Sequence, residues 1–126
     1  DMHCPMHAGR LSDRGGNGFK VKWFGQDTNL HTIWDTRFIE SARKWSYTEW
    51  QLQLDRCSRK ERKANSSGTL RQWFDDTVSA AAHLYATTSV GANLSYQYLY
   101  DHNALLERQL LYAGYRLAAM LNDIFG

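Results

Sequence analysis

Two short segments of this chain concentrate the side chains that can hold a metal ion. The first is DMHCPMH, from Asp1 to His7, and the second is HTIWD, from His31 to Asp35. Imidazole nitrogens and carboxylate oxygens are common ligands of zinc. The residue types therefore indicate a metal site to which both segments contribute.

The spacing within the second segment fits this interpretation. His31 and Asp35 are four residues apart, and on a helix that spacing places both side chains on one face, about one turn apart. His7 would supply a third ligand, and three protein ligands with an open fourth position are typical of a catalytic zinc. The spacing alone leaves a second interpretation open, because a His and an Asp at helical spacing also form ordinary surface pairs.

The region that carries both segments shows little helical periodicity. Residues 1–36 are rich in His, Gly and Asp. Within them, Phe19, Val21 and Trp23 recur with a period of two, which predicts a short strand between glycine-containing turns. A small hairpin or irregular ribbon is expected here, followed by a helix that Asn29 caps.

Residues 37–126 are predicted to be helical almost throughout. Ser46 and Glu49 fit a capping box, and their helix is expected to run through Leu54 towards Arg62. Thr69 is expected to cap the next helix, after a break at 65–68.

The last helical stretch is expected to follow a break at 90–93, either straight or with a bend near Asn103. The apolar residues of the two long helices are expected to form buried stripes. These stripes are Leu70, Trp73, Phe74, Val78, Ala81 and Leu84 in the first helix, and Leu106, Leu110, Leu117, Leu121 and Ile124 in the last. The sequence thus predicts a mainly α fold with one core and an irregular, site-bearing segment on one side.

Composition and charge limit the class of protein. The chain has 126 residues, of which 43% are hydrophobic and 22% charged, as in a globular domain. The net charge of +2 is too weak to indicate nucleic-acid binding by charge alone. No stretch approaches the roughly 18 apolar residues that a membrane helix needs. Two cysteines, Cys4 and Cys57, do not make a disulfide framework, and separate thiols are expected.

The order of the motifs is more specific than any single motif. DMHCPMHAG at 1–9, DRGGN at 13–17 and NLHTIWD at 29–35 closely resemble the zinc-ligand region of the S1/P1 nuclease family. That family has Asp-x-x-Gln-Pro-Leu-His, a Gly-Gly-Asn turn, a short strand and then Asn-Leu-His-x-x-Trp-Asp. AGYRLAAMLN at 113–122 is similar to the last helix of the family. The resemblance therefore covers nearly the whole chain, and the sequence is identified as a member of this family.

The resemblance implies a multi-helical fold of the phospholipase C/P1 nuclease type and three zinc ions (Zn²⁺) in a cleft. His7, His31 and Asp35 would hold the more exposed zinc. Asp1 would be a metal ligand with a catalytic role, because it matches the carboxylate that bridges the two more buried zincs.

The resemblance also implies a substrate and a reaction. Gly16 and Asn17 match the turn that contacts the base of a bound nucleotide. The implied reaction is zinc-dependent hydrolysis of phosphodiester bonds in single-stranded DNA or RNA to 5′-phosphate products, with 3′-nucleotidase activity. A secreted or periplasmic location is implied as well.

The sequence departs from the family pattern at several points. Cys4 stands where the family has Gln, a residue that is not a ligand, so the change concerns the surroundings of the site and brings a thiol close to the metal. Met6 replaces Leu, a mild change of packing. The family places an N-terminal Trp and further His and Asp ligands before the residue that matches Asp1. Residues 1–126 are therefore expected to be the C-terminal part of a single domain, with at most one complete zinc site and no activity alone.

Two alternatives remain at this point. A zinc phosphodiesterase of the phospholipase C type, acting on lipid head groups, has a similar metal site, although the motifs at 15–17 and 29–31 favour the nuclease. The other alternative is an inactive fragment that acts only as an assembly partner, through self-association or through a missing N-terminal half.

Overall fold

The computed structural model describes residues 1–126, and helices dominate it. Two 3-10 helices, Pro5–Ala8 and Leu11–Asp13, precede a small sheet. The strands of the sheet are β1 (Lys20–Trp23), β2 (Gln26–Asn29) and β3 (Asn93–Leu94). The helices are α1 (Leu30–Thr32), α2 (Phe38–Ala42), α3 (Tyr47–Leu54), α4 (Arg59–Asn65), α5 (Leu70–Thr87) and α6 (Tyr96–Phe125), with a π turn over Ile33–Arg37 between α1 and α2. The predicted mainly α class with a short hairpin near residue 20 is confirmed.

The hairpin forms where the period of two predicts it. β1 and β2 pair antiparallel, with Trp23 opposite Gln26. The two-residue loop consists of Phe24 and Gly25, whose φ angles of 49° and 82° are both positive, as a type I′ turn requires. Val21 and Trp23 are buried, and the alternating residues Lys20 and Lys22 are exposed. The alternation therefore directs one face of the hairpin into the core.

A third strand, β3, was not predicted. It pairs parallel to β1, with Lys22 opposite Asn93, which gives the strand order β2-β1-β3. The backbone N–H groups of Lys22 and Phe24 donate to the carbonyls of Ala92 and Leu94. A strand of two residues is too short to show an alternating pattern, so the sequence indicated only a break before α6.

Aromatic side chains fill the centre of the core. The indole nitrogen of Trp34 donates to the hydroxyl of Tyr98 at 2.8 Å, and the rings of Trp23 and Phe38 pack edge-on against Tyr98. Burial raises the pKa of Tyr98 to about 12, so its phenol stays neutral under physiological conditions. The core thus joins the hairpin, the π turn and α6, which fixes the segment that carries Asp35.

The helix expected from residue 46 towards Arg62 is instead two helices. The capping box of Ser46 and Glu49 is confirmed. A second capping box, formed by Ser58 and Glu61, begins α4. It gives the first backbone N–H groups of α4 hydrogen-bond partners, so α4 begins independently of α3. The last helix, α6, is continuous through the position where a bend was considered.

The predicted buried stripes are wrong in part. The predicted residues Trp73, Ala81, Leu84 and Leu106 are buried. The predicted residues Leu70, Phe74, Val78, Leu117, Leu121 and Ile124 are exposed. On α5 the buried face includes Thr77, whose hydroxyl donates to the Trp73 carbonyl and can therefore be buried without an unmet hydrogen bond. None of the helices combines the length and the apolar character that crossing a membrane requires.

Candidate metal centre

The helix cap and the π turn position His31 and Asp35. The side-chain oxygen of Asn29 accepts a hydrogen bond from the Thr32 backbone N–H at 2.8 Å, as predicted for the cap. Asp35 lies in the π turn, and such turns are rare in proteins and frequent at functional sites. Ile33 and Trp34 are buried on the core side. The segment is therefore anchored by its apolar residues, while Asp35 remains exposed.

His7 brings the two metal-binding segments together. Its ring nitrogen Nε2 lies 3.1 Å from Oδ1 of Asp35, a residue 28 positions later in the chain. The other ring nitrogen, Nδ1, lies 3.1 Å from the backbone carbonyl oxygen of Asp1. The His7 side chain is 27% exposed and that of Asp35 is 48% exposed, so solvent and small ions can reach the pair.

His31 stacks against His7. Their ring centroids are 5.3 Å apart and the ring planes meet at 26°. Nδ1 of His31 donates to the carbonyl oxygen of Gly15 at 2.8 Å. In metal sites the second ring nitrogen of a ligating His usually donates to a carbonyl or carboxylate, which fixes the ring and leaves the other nitrogen for the metal. Both histidines have this arrangement, with Nε2 as the remaining donor atom.

The partners of His7 fit a bound cation. A neutral imidazole carries one N–H, yet both nitrogens of His7 face oxygens, of Asp1 and Asp35, that can only accept. A metal ion or a proton on Nε2 removes this conflict, because Nδ1–H then donates to the Asp1 carbonyl and the Asp35 carboxylate faces a cation. The donor set of imidazole and carboxylate suits zinc.

The Gly15–Gly16 turn packs directly against these residues. The φ angles of Gly15 and Gly16 are 65° and 82°. A Cβ on Gly15 would lie 2.5 Å from the Met6 carbonyl oxygen, and one on Gly16 would lie 2.8 Å from Met6 Sδ. The His31 backbone N–H donates to the Gly16 carbonyl at 3.3 Å. Glycine is therefore required at both positions, and the turn holds His31 in place.

The two candidate base-binding residues differ in what they can offer. The Gly16 N–H already donates to Oδ1 of Asp13 at 2.8 Å, so it is not free to donate to a base. Because Gly16 has no side chain, its contribution is to let a base approach the backbone closely. Asn17 is half-buried, and its amide nitrogen donates to the Arg14 carbonyl at 2.8 Å. The side-chain oxygen of Asn17 and the second hydrogen of its amide nitrogen remain for a base.

Asp1 lies at the edge of this arrangement. Its carboxylate is fully exposed, and Oδ1 is 3.8 Å from Nδ1 of His7, on the side of the ring that faces away from Asp35. Its carbonyl oxygen is the atom that orients His7. The geometry therefore pairs His7 with Asp35 and stacks His31 on the His7 ring, and it leaves the Asp1 carboxylate outside this arrangement. The ligand atoms that lie within 4.8 Å of one another belong to Cys4, His7 and Asp35, and His31 is not part of that cluster.

Sequence reasoning missed the anchor of the Asp1–His7 segment. Nη1 of Arg116 lies 3.0 Å from Nε2 of His3, and Nη2 donates to Asp76 at 2.9 Å. Gln109 donates to the His3 carbonyl at 2.9 Å. Burial, reinforced by the Arg116 charge, lowers the pKa of His3, so its ring stays neutral and accepts from the guanidinium. The burial of Arg116 is seen only in the structure, so the sequence carried no signal for this anchor.

Comparison with known proteins gives the family. The profile of the S1/P1 nuclease family matches residues 1–126. Endonuclease 3 of Arabidopsis thaliana is 32% identical over 140 residues, which cover 99% of this chain and 48% of that protein. Nuclease S1 of Aspergillus oryzae is 32% identical over 145 residues, which cover 98% of this chain and 50% of that protein. The chain spans about half the length of the curated relatives it matches. Because the family profile matches the chain from its first residue to its last, the chain belongs to the S1/P1 nuclease family.

Proposed function

We propose that this chain forms the part of a zinc-dependent nuclease that holds one zinc and contacts one base. The substrate is single-stranded DNA or RNA, the products carry 5′-phosphates, and 3′-nucleotidase activity accompanies the reaction. The observation that carries the proposal is the His7–Asp35 pair with His31 stacked on it, each histidine fixed through Nδ1. The family and the printed names of the relatives support the reaction class.

His7, His31 and Asp35 hold the zinc in this proposal. When bound, the ion supplies positive charge for a phosphate and lowers the pKa of water towards neutrality. The carbonyls of Asp1 and Gly15 orient the two rings and strengthen them as ligands. The exposed Asp1 carboxylate is free to bind a further metal ion. The one cluster of three close ligand groups is Cys4, His7 and Asp35, to which His31 is adjacent through its stacking on His7. The proposal therefore gives residues 1–126 at most one complete zinc site.

The Gly16–Asn17 turn selects the single strand. A base can enter a pocket and be hydrogen-bonded on its edge only when it is unpaired. Asn17 offers its side-chain oxygen to such a base, and Gly16 is bonded to the backbone of His31. A nucleotide bound by its base at this turn therefore has its phosphate next to the metal ligands. A secreted or periplasmic location belongs to the same proposal.

The test is binding of a short single-stranded oligonucleotide to the 126-residue chain, with and without Zn²⁺. We expect zinc to increase the affinity and the matching duplex to bind more weakly. Asn17→Ala should weaken single-strand binding by about fivefold, which corresponds to one hydrogen bond of about 1 kcal/mol. Asn122→Ala, at an exposed position near the end of α6, is the matched control.

Three outcomes count against the proposal. Equal affinity of the Asn17 and Asn122 variants would show that Asn17 does not contact the base. Binding that does not respond to zinc would show that the metal takes no part in substrate recognition. Zinc-dependent binding to phosphatidylcholine vesicles, without binding to the oligonucleotide, replaces the nuclease with an enzyme of the phospholipase C type.

A further inference from the structure

We infer that Cys4 is a sulfur ligand of the zinc held by His7, His31 and Asp35. This inference rests on the proposed function, because it concerns the same ion. It adds a residue that the family pattern does not use as a ligand, and it makes the centre a Cys/His/His/Asp site.

The geometry brings the Cys4 sulfur to the metal ligands. The ligand atoms of Cys4, His7 and Asp35 all lie within 4.8 Å of one another. Donors bound to one tetrahedral zinc at about 2.0 to 2.3 Å lie roughly 3.3 to 3.8 Å apart, so closing the shell needs a movement on the order of 1 Å. Cys4 is only half-buried, and its S–H group makes a weak hydrogen bond to the Trp34 carbonyl at 3.8 Å. A rotation about χ1 can therefore supply the movement.

A cavity beside these residues contains a second polar group without a partner. The cavity has a volume of about 180 Å³, and its lining includes Cys4, His7, Asp35 and Gln109. Gln109 is 3% exposed, and its Oε1 has no hydrogen-bond partner. Leaving a buried carbonyl oxygen unpaired is costly. A polar group in this cavity, either the metal ion or a molecule bound to it, would give a partner to Gln109 Oε1 as well as to His7.

Metal binding at Cys4 must displace the thiol proton. Burial raises the pKa of the Cys4 thiol, and the backbone N–H groups of Met6 and His7 offset this only in part. The metal-free thiol is therefore protonated at neutral pH. Binding of zinc forms the S–Zn bond and releases the thiol proton to solvent.

The added ligand changes what the site can do. Four protein donors close a tetrahedral zinc, whereas catalytic zincs keep one position for water or substrate. A phosphate oxygen must then enter as a fifth ligand or displace the sulfur. Thiolate also favours soft metal ions, so Cd²⁺ should gain more from Cys4 than Zn²⁺ does.

Cobalt reports on the ligands directly. We load the metal-free chain with Co²⁺, whose visible bands report tetrahedral binding and whose near-ultraviolet charge-transfer band reports a bound thiolate. The wild-type chain and the control Cys57→Ser should show both bands. Cys4→Ser should keep the visible bands, lose the charge-transfer band and bind Zn²⁺ at least about tenfold more weakly, since even the loss of an outer-shell partner costs about 10- to 100-fold.

A second measurement keeps the native Cys4. In the Cys57→Ser chain, Zn²⁺ should slow the reaction of the remaining thiol with a thiol reagent by at least about tenfold, and a chelator should restore the rate. Visible cobalt bands without a charge-transfer band, or no protection by zinc, overturn the inference and leave the His7, His31 and Asp35 site intact. No cobalt binding in any of these chains overturns that site and the inference together.

Discussion

Replacing Gly16 with alanine tests the close approach between the glycine turn and the metal ligands. At a φ of 82°, a residue with a Cβ costs about 1–2 kcal/mol. The new Cβ would also lie 2.8 Å from Met6 Sδ and 3.1 Å from the His31 backbone nitrogen. Met6 is 1% exposed, so neither neighbour can move freely, and overpacking of this kind costs about 1–3 kcal/mol. We therefore expect Gly16→Ala to lower the free energy of unfolding by about 2–5 kcal/mol.

Gly25→Ala is the matched control for this change. Gly25 has the same φ of 82°, but a Cβ there meets no atom within 4 Å. Its cost should be the backbone strain alone, about 1–2 kcal/mol. Urea unfolding of the metal-free chains measures both values, and zinc titration of the folded chains should show weaker binding only for Gly16→Ala, because only that change presses on His31. Equal stability and equal zinc affinity of the two variants would refute the packing argument.

Two further predictions concern buried polar groups. Arg116→Met should lower the free energy of unfolding by about 2–4 kcal/mol. This loss is smaller than the loss from breaking a fully buried ion pair, because Asp76 is half exposed. The change should also weaken zinc binding, because Arg116 anchors His3. Arg71→Met, which removes an exposed ion pair on α5, should cost less than about 1 kcal/mol, and similar losses for the two variants in urea unfolding would contradict the anchoring role. Burial lowers the pKa of His102, so the unfolded chain takes up the proton first and stability should fall as the pH drops below about 6.5. His102→Gln should flatten that dependence in metal-free protein, and an unchanged slope would show that other groups cause it.

Local patterns in the sequence predicted the elements that depend on local contacts. The period of two around Val21 produced the hairpin, and the caps at Asn29, Ser46 and Thr69 begin helices as expected. These predictions are confirmed because the hydrogen bonds involved join residues three positions apart or neighbours in one hairpin.

Features that depend on tertiary packing were not predictable in the same way. Leu70 and Phe74 are apolar at helical spacing, yet the core selects the face of α5 that carries Thr77. A helical pattern shows which residues share a face, but the elements that cover that face decide which one is buried. The anchor formed by Arg116 and His3 joins residues 113 positions apart, and no local sequence pattern predicts it.

The membership of the candidate site remains a prediction, whereas its contacts can be compared with the structure. The order of the motifs grouped His7, His31 and Asp35, and in the structure His7 pairs with Asp35 while His31 stacks on the His7 ring. Helical spacing alone did not foresee the π turn that carries Asp35. The proximity of the Cys4 sulfur depends on the 3-10 helix that begins at Pro5, which the sequence did not indicate.

The most direct test of the metal centre is the zinc content of the purified 126-residue chain after dialysis against a weak chelator. Elemental analysis should find about one zinc per chain, the number that one complete ligand set can hold. His31→Ala should retain none, while His83→Ala, an exposed histidine on α5, should retain the full amount. No zinc in the unaltered chain, or equal zinc in the two variants, would contradict a site built on His7, His31 and Asp35.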